Sequence, residues 1–158
     1  MILYFLRHGR AEHTEGKEDA ARRLTDEGEA QLRAAAALWR RLKVRPQLVL
    51  SSPLVRAVQT AELACDGLGS KKGPVADERL GPGADWDDLA SAVAEHPTAK
   101  RVLFVGHQPD FGSMVELLAG VHAVRMRPGS MACIEFSGSP TPGQGELAWL
   151  LDPDLYTA

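Results

Sequence analysis

The sequence predicts a doubly wound α/β domain, in which a mostly parallel central sheet lies between two layers of helices. Three short apolar runs carry this prediction, at residues 2–6, 48–50 and 102–105. Each run is continuous and does not alternate with polar residues, which is typical of a strand buried on both faces. Helical patterns lie between the runs, so the order of elements favours parallel strands joined by right-handed crossovers.

The first helix is predicted to follow a charged stretch, residues 10–23, whose lack of periodicity indicates a loop. That loop either lies in solvent or forms a mobile rim over an active site, and the sequence leaves both interpretations open. Thr25 is the expected N-cap, because acidic residues follow it in the first turn, where the helix dipole favours negative charge. The helix is expected to run to about residue 43, before Pro46.

Further helices and a hairpin complete the predicted fold. Ser52 is the expected N-cap of the second helix, and Pro53 its first residue. A glycine- and proline-rich loop near the end of the chain predicts a hairpin at a sheet edge. The later elements, in chain order, are helices over residues 85–95 and 110–119 and hairpin strands over residues 130–136 and 146–151.

Length and charge agree with a single globular domain over residues 1–158, with 44% apolar and 25% charged residues. Lys and Arg total 18 against 21 Asp and Glu, so the net charge is −3. No global basic field exists to hold nucleic acid or an anionic membrane. No apolar run approaches the roughly 20 residues of a membrane span. We therefore expect no nucleic-acid or membrane partner, and any phosphate site requires a local cluster of arginines.

The two cysteines, Cys65 and Cys133, lie far apart and have no metal-binding spacing. They do not suggest a disulfide scaffold, so the expected compartment is the reducing cytoplasm. The apolar start before Arg7 is shorter than the about 7–15 residues of a signal-peptide core. We expect no metal and no cofactor, and we expect a monomer, since nothing in the sequence demands an oligomer.

Polar side chains gather where the three predicted strands end. Arg7 and His8 follow the first strand, His107 follows the third, and Arg56 lies in the first turn of the helix after the second. Ligands bind beyond the carboxyl ends of strands in open α/β sheets, so we expect these four groups to converge. Guanidinium matches phosphate oxygens bidentately, and a neutral imidazole can attack phosphorus to form a covalent intermediate. The sequence therefore predicts a phosphoryl-transfer site.

Four motifs occur in the order found in the histidine phosphatase superfamily, which the chain therefore resembles. They are LRHG at 6–9, LTxxG at 24–28, SSPLxRAxQTA at 51–61 and VGHxP at 105–109. The resemblance implies a phosphoglycerate mutase-like, three-layer α/β/α sandwich with no metal or organic cofactor. It also implies that His8 is the nucleophile that becomes phosphorylated, that Arg7 and Arg56 clamp the phosphate, and that His107 is the second histidine of the pocket.

Within the superfamily, the chain resembles SixA-type phosphohistidine phosphatases in its size, its lack of a cap insertion and its segment ERLGPG at 78–83. Mutases and broad-substrate phosphatases usually carry a glutamate two residues after the position of Leu80, where this chain has Pro82. Such a general acid is worth about 10²–10⁴ in rate for an ester leaving group. A phosphorylated imidazole can leave already protonated, so the departure favours phosphohistidine on a protein as the substrate.

Two other functions stay open at this stage. A small-molecule phosphomonoester phosphatase would need a substitute acid, for which Glu78 and Asp85 are the nearby carboxylates. A catalytically weak phosphate-sensing domain would keep the pocket and bind phosphate without useful turnover. The sequence does not identify the physiological substrate or the tautomer of His8.

Overall fold

The computed structural model describes residues 1–13 and 18–157, and its strands form one six-stranded sheet. The strands are β1 (Ile2–Arg7), β2 (Leu48–Ser51), β3 (Val75–Ala76), β4 (Arg101–Gly106), β5 (Met131–Glu135) and β6 (Glu146–Leu151). Their order across the sheet is β3-β2-β4-β1-β5-β6. The first four strands pair in parallel, whereas β5 pairs antiparallel with both β1 and β6. The predicted mostly parallel sheet with a late hairpin is confirmed.

The helices are α1 (Asp26–Arg41), α2 (Val55–Leu68), α3 (Trp86–Ala94) and α4 (Asp110–Ala119). Short 3-10 helices, Asp19–Ala21, Glu78–Leu80 and Pro153–Thr157, lie in the connections and near the end of the chain. Thr25 caps α1 as predicted, because its hydroxyl oxygen accepts a hydrogen bond from the Gly28 amide at 3.0 Å. These positions agree closely with the predicted helices, except at the start of α2.

The sheet carries a separate apolar core on each face, which explains the continuous apolar runs. Alternate side chains of β1 enter opposite cores, with Phe5 on the face covered by α3 and α4 and Leu6 on the face covered by α1 and α2. Phe5 meets Phe111 of α4 edge-on, with 5.3 Å between the ring centroids. On the other face, α1 contributes the fully buried Trp39. The predicted three-layer α/β/α architecture is confirmed.

The predicted start of α2 is wrong. The helix begins at Val55, and its N-cap is Leu54, which makes no side-chain capping bond. The Ser52 amide still bonds to the Val105 carbonyl of β4 at 2.9 Å, so the backbone remains part of the strand ladder at that residue. Its hydroxyl oxygen accepts from the Leu54 amide at 3.2 Å, which forms a turn between strand and helix. Ser52 therefore ends the strand and does not open the helix.

Both cysteines are free thiols buried in the core on the α1 and α2 face of the sheet, Cys65 on α2 itself and Cys133 on β5. Burial raises the pKa of the Cys133 thiol to about 12, which keeps it protonated and unreactive near neutral pH. Over residues 1–13 and 18–157, no helix is long and apolar enough to cross a membrane.

Candidate active site

The carboxyl ends of three neighbouring strands, β2, β4 and β1, bring the predicted site residues together. Arg7 ends β1, His8 follows it directly, His107 follows β4, and Arg56 lies in the first turn of α2. All four side chains line one cavity of about 490 Å³. The convergence expected from the sequence is therefore present in the structure.

The ring of His8 is held in one tautomer. Its Nδ1 lies 2.7 Å from the carbonyl oxygen of Gly9, and a carbonyl oxygen can only accept, so Nδ1 carries the proton. The other nitrogen, Nε2, therefore keeps its lone pair, and Nε of Arg56 donates to it at 3.3 Å. The geometry thus supplies the tautomer that the sequence left open.

Burial keeps both histidines of the site neutral. His8 is 8% exposed and His107 is 5% exposed, and their ring centroids are 5.3 Å apart. Burial lowers the pKa of His8 to about 3, opposed by the hydrogen bond to Gly9 and assisted by the charge of Arg56. Burial and then Arg56 lower the pKa of His107 to about 4. At pH 7 His8 is an uncharged base, as attack on phosphorus requires.

The two arginines of the site are held in different ways. Arg7 donates from one terminal nitrogen to the carbonyl oxygen of Met126 at 2.8 Å, whereas its buried Nε has no hydrogen-bond partner among the described residues. Arg56 donates to the backbone carbonyl of Asp19 at 2.7 Å and to the carboxylate of Asp19 at 3.1 Å. The Arg7 side chain lines the cavity, so an oxyanion bound there would meet a guanidinium charge.

The charged stretch after β1 forms one side of the cavity. Asp19 lies there in the 3-10 helix and accepts from Arg22 at 2.7 and 3.0 Å, as well as from Arg56. The hydrogen bonds from Arg22, and to a smaller extent that from Arg56, lower the pKa of the Asp19 carboxyl. The interpretation of this stretch as a rim of the site is therefore supported for residues 10–13 and 18–23, while residues 14–17 lie outside the described residues.

Three residues that the sequence analysis did not assign to the site hold its backbone and rings in place. Thr60 of α2 accepts from the Gly9 amide at 3.1 Å and donates to the Arg56 carbonyl at 2.7 Å. The hydroxyl oxygen of Ser52 lies 2.7 Å from Nε2 of His107, within hydrogen-bond distance. The Gly129 amide bonds to the carbonyls of Arg7 and His8 at 3.1 and 3.0 Å. Thr60 and Ser52 both fall within the SSPLxRAxQTA motif, which was the available signal.

Neither carboxylate considered as a substitute acid belongs to the described lining of the cavity. Glu78 is exposed on its 3-10 helix, and Asp85 is occupied as the N-cap of α3, where it accepts from the Asp88 amide at 3.0 Å. Pro82, at the position where other branches carry glutamate, lines the cavity with no titratable group. In the described ranges, no group of three or more His, Cys, Asp or Glu side chains could hold a metal ion.

One carboxylate that the sequence analysis missed does line the cavity. Asp110 is the first residue of α4 and is half-buried. It accepts from the Gly83 amide at 2.8 Å, and Pro82 and Gly83 form the adjoining part of the wall. Its proximity to the site follows from its place three residues after His107.

A parallel α/β sheet that brings two arginines and two neutral histidines to one cavity is typical of phosphoryl-transfer enzymes. The model of the histidine phosphatase superfamily (branch 1) matches residues 3–89, more than half of the chain. The chain belongs to this superfamily, and it is a phosphatase.

Comparisons with individual proteins agree with this assignment. An uncharacterised protein of Picosynechococcus sp. is 40% identical over 125 residues, which cover 75% of this chain and 73% of that protein. The protein histidine phosphatase SixA, complexed with tungstate, superposes with a TM-score of 0.85 at 29% identity, over 98% of this chain and 99% of that chain. The alpha-ribazole phosphatase from Shigella flexneri superposes with a TM-score of 0.73 at 20% identity, over 97% of each chain, which shows the fold alone. The phosphoglycerate mutase-like fold is thus confirmed.

Proposed function

We propose that the chain acts as a single-domain phosphohistidine phosphatase, which removes phosphate from a phosphorylated histidine on a protein. The observation that carries this proposal is the state of His8, a buried neutral ring whose Nε2 lone pair accepts an N–H from Arg56. The likeness to SixA, a protein histidine phosphatase that holds tungstate, supports both an oxyanion site and this substrate class.

The first step transfers the phosphoryl group to the enzyme. The Nε2 lone pair of His8 attacks phosphorus, and the P–N bond of the substrate breaks with its electron pair going to the leaving nitrogen. In the free protein, the Nε–H of Arg56 donates a hydrogen bond to Nε2 of His8 at 3.3 Å. As the phosphoryl group arrives, this N–H donates its hydrogen bond to a phosphoryl oxygen instead. The guanidinium charge of Arg7 balances the charge on the other oxygens, and a ring N–H of His107 stabilises the transferring group.

The second step regenerates the enzyme. Water attacks the phosphorus of phosphorylated His8, and the electron pair of the P–N bond returns to Nε2. One water proton is lost to solvent, and the water oxygen becomes part of the product phosphate. The hydrogen bond from Nδ1 to Gly9 holds the ring in the same tautomer through both steps, so Nε2 is ready for the next substrate.

A small phosphate ester is the second candidate substrate. The cavity of about 490 Å³ has the volume of a small-molecule site, so it would accept more than a phosphate group. Against this candidate, neither Glu78 nor Asp85 lines the cavity, and Pro82 supplies no proton to an alkoxide leaving group.

The test compares a phosphorylated phosphotransfer protein with a panel of common phosphate esters. We expect the wild-type protein to prefer the phosphohistidine protein, and rapid acid-free quenching to trap phosphate on His8. The variant His8→Ala is expected to keep its fold and lose at least about 10³-fold in kcat, as removal of a nucleophile does. His122→Ala, at an exposed histidine, is the matched control.

Each other outcome has a definite meaning. Faster turnover of several esters would identify a small-molecule phosphatase. Tight binding of phosphate without turnover of any substrate would identify a phosphate-sensing domain. Activity of His8→Ala close to that of the wild type would exclude the covalent mechanism.

A further inference from the structure

Asp110 is the carboxylate that stays free of arginines among the cavity-lining residues that the structure describes. Among the described lining residues, Asp19 pairs with Arg22 and Arg56, and Glu27 approaches Arg10 at 3.8 Å. Asp110 lies in the same arginine-rich cavity, yet its one bond to the described residues comes from the backbone amide of Gly83, at 2.8 Å. A half-buried carboxylate without a cation in such a cavity is available to a ligand.

The bond from Gly83 also fixes the orientation of this carboxylate. It occupies Oδ2, so Oδ1 keeps its lone pairs for a donor that enters the cavity. The partners lie 27 residues apart, on α4 and on the loop after the 3-10 helix Glu78–Leu80. The loop contains Pro82, the position at which other branches carry a glutamate. This part of the cavity wall is therefore joined directly to Asp110. The Asp110 carboxylate is held by this hydrogen bond and by the backbone of α4, so it loses little conformational entropy when a ligand binds to it.

We propose that Oδ1 of Asp110 binds the leaving imidazole of the substrate and thereby selects phosphohistidine over phosphate esters. This inference rests on the proposed function. The ring nitrogen remote from phosphorus carries a proton when the P–N bond breaks, and its N–H donates to Asp110. The bond's electron pair goes to the nitrogen that was attached to phosphorus, so the protonated ring departs as neutral imidazole.

The same carboxylate discriminates against esters. An alcohol leaving group has no ring N–H to donate, so binding it would desolvate Oδ1 without a replacement bond. A substrate with a second anionic group would also meet the negative charge of Asp110. Asp110 thus acts as a specificity residue that contacts the leaving group, while Arg7, Arg56 and the histidines act on the phosphoryl group.

The experiment compares wild type, Asp110→Asn and Glu78→Gln on two substrates, a phosphorylated phosphotransfer protein and p-nitrophenyl phosphate. The amide oxygen of asparagine can still accept from the Gly83 amide, whereas the charge and the second acceptor are lost. We expect kcat/KM of Asp110→Asn to fall by about 10- to 100-fold on the phosphohistidine protein, the loss of a charge-assisted hydrogen bond. On p-nitrophenyl phosphate, whose leaving group has no N–H to donate, we expect no loss and a gain of a few-fold, because the cost of desolvating the Oδ1 charge is removed.

The control Glu78→Gln removes an exposed carboxylate from the 3-10 helix before the same loop and is expected to leave both substrates unchanged. Equal losses on both substrates, or no loss on either, would overturn the role of Asp110. A wild-type protein inactive on phosphohistidine would instead refute the proposed function, on which this role depends. Should Asp110→Asn fail to fold, Asp110→Ser keeps an acceptor for Gly83 and repeats the comparison.

Discussion

Asp19 receives both terminal nitrogens of Arg56, one at its backbone carbonyl at 2.7 Å and one at its carboxylate at 3.1 Å. These two bonds fix the plane of the guanidinium, so that its Nε is directed to Nε2 of His8 at 3.3 Å. A residue of the rim thereby sets the orientation of a group at the base of the cavity.

Removal of the Asp19 carboxylate should weaken catalysis. We expect Asp19→Ala to lower kcat/KM by about 10-fold or more, since small misplacements of a reacting group have effects of this size. Asp19→Asn, which keeps an acceptor for Arg56, should recover part of the loss. The measurement is steady-state turnover of the phosphohistidine protein. The control Glu29→Ala, which breaks the exposed ion pair with Arg33 on α1, should leave turnover unchanged. A loss of turnover in Glu29→Ala equal to that in Asp19→Ala would contradict the orienting role of Asp19.

Acid should destabilise the protein through the two buried histidines. Their folded pKa values, about 3 for His8 and about 4 for His107, lie below the ordinary value of 6.5, so the unfolded chain binds more protons in this window. The contribution of the two neutral histidines to the free energy of unfolding is therefore fully present above pH 6.5. It is lost as the pH drops toward 4 and then 3. The slope is at most about 1.4 kcal/mol per pH unit for each histidine.

Urea unfolding at several pH values from neutral to about 4.5 measures this slope. His8→Asn should make it shallower because one of the two buried groups is gone. His122→Asn, at an exposed position, should leave the slope as it is in the wild type. A slope that does not respond to His8→Asn would show that other groups cause the acid sensitivity.

Thr60 should matter for both stability and turnover. The nearly isosteric Thr60→Val removes the acceptor of the buried Gly9 amide, bonded at 3.1 Å, and leaves that donor unsatisfied. We expect a loss of about 1–3 kcal/mol in the free energy of unfolding, together with slower turnover because the backbone beside His8 loses its anchor. Chemical denaturation and steady-state kinetics check the two effects. Thr141→Val, at an exposed threonine, should change neither.

Gly28→Ala should destabilise the protein although alanine favours helices by about 1 kcal/mol over glycine. A Cβ at this position of α1 would collide with the carbonyl oxygen of Arg10, which is backbone and cannot rotate away. The midpoint of urea unfolding should therefore fall. Gly73→Ala is the matched control, because its added Cβ has no atom within 4 Å. A higher midpoint for Gly28→Ala would mean that α1 shifts freely away from the loop.

The features predicted correctly are those with local signals. The central strands follow from continuous apolar runs, because each strand is buried on both faces, and the convergence of Arg7 and His107 follows from their places at the ends of parallel strands. The start of α2 was mispredicted because a serine before proline resembles a helix cap, while the bond from Ser52 to Val105 depends on the neighbouring strand.

The missed site residues depend on contacts between distant segments. Asp19 meets Arg56 across 37 residues, and Asp110 meets Gly83 across 27 residues, so no short motif contains either pair. The sequence suggests Glu78 and Asp85 as substitute acids because they are close in sequence to Pro82. In the structure one is exposed and the other caps a helix, since closeness along the chain does not decide which side chains share a cavity.

The position of β1 in the sheet has a consequence for how the chain assembles during synthesis. β1 is the first strand in the sequence, yet its two neighbours are β4 (Arg101–Gly106) and β5 (Met131–Glu135). A ribosome must therefore add about a hundred residues before β4 can cover one edge of β1. It must also synthesise β5 before the second edge can be covered. Until then the strand that ends at Arg7, next to His8, exposes unpaired backbone, a state in which chaperone binding competes with aggregation.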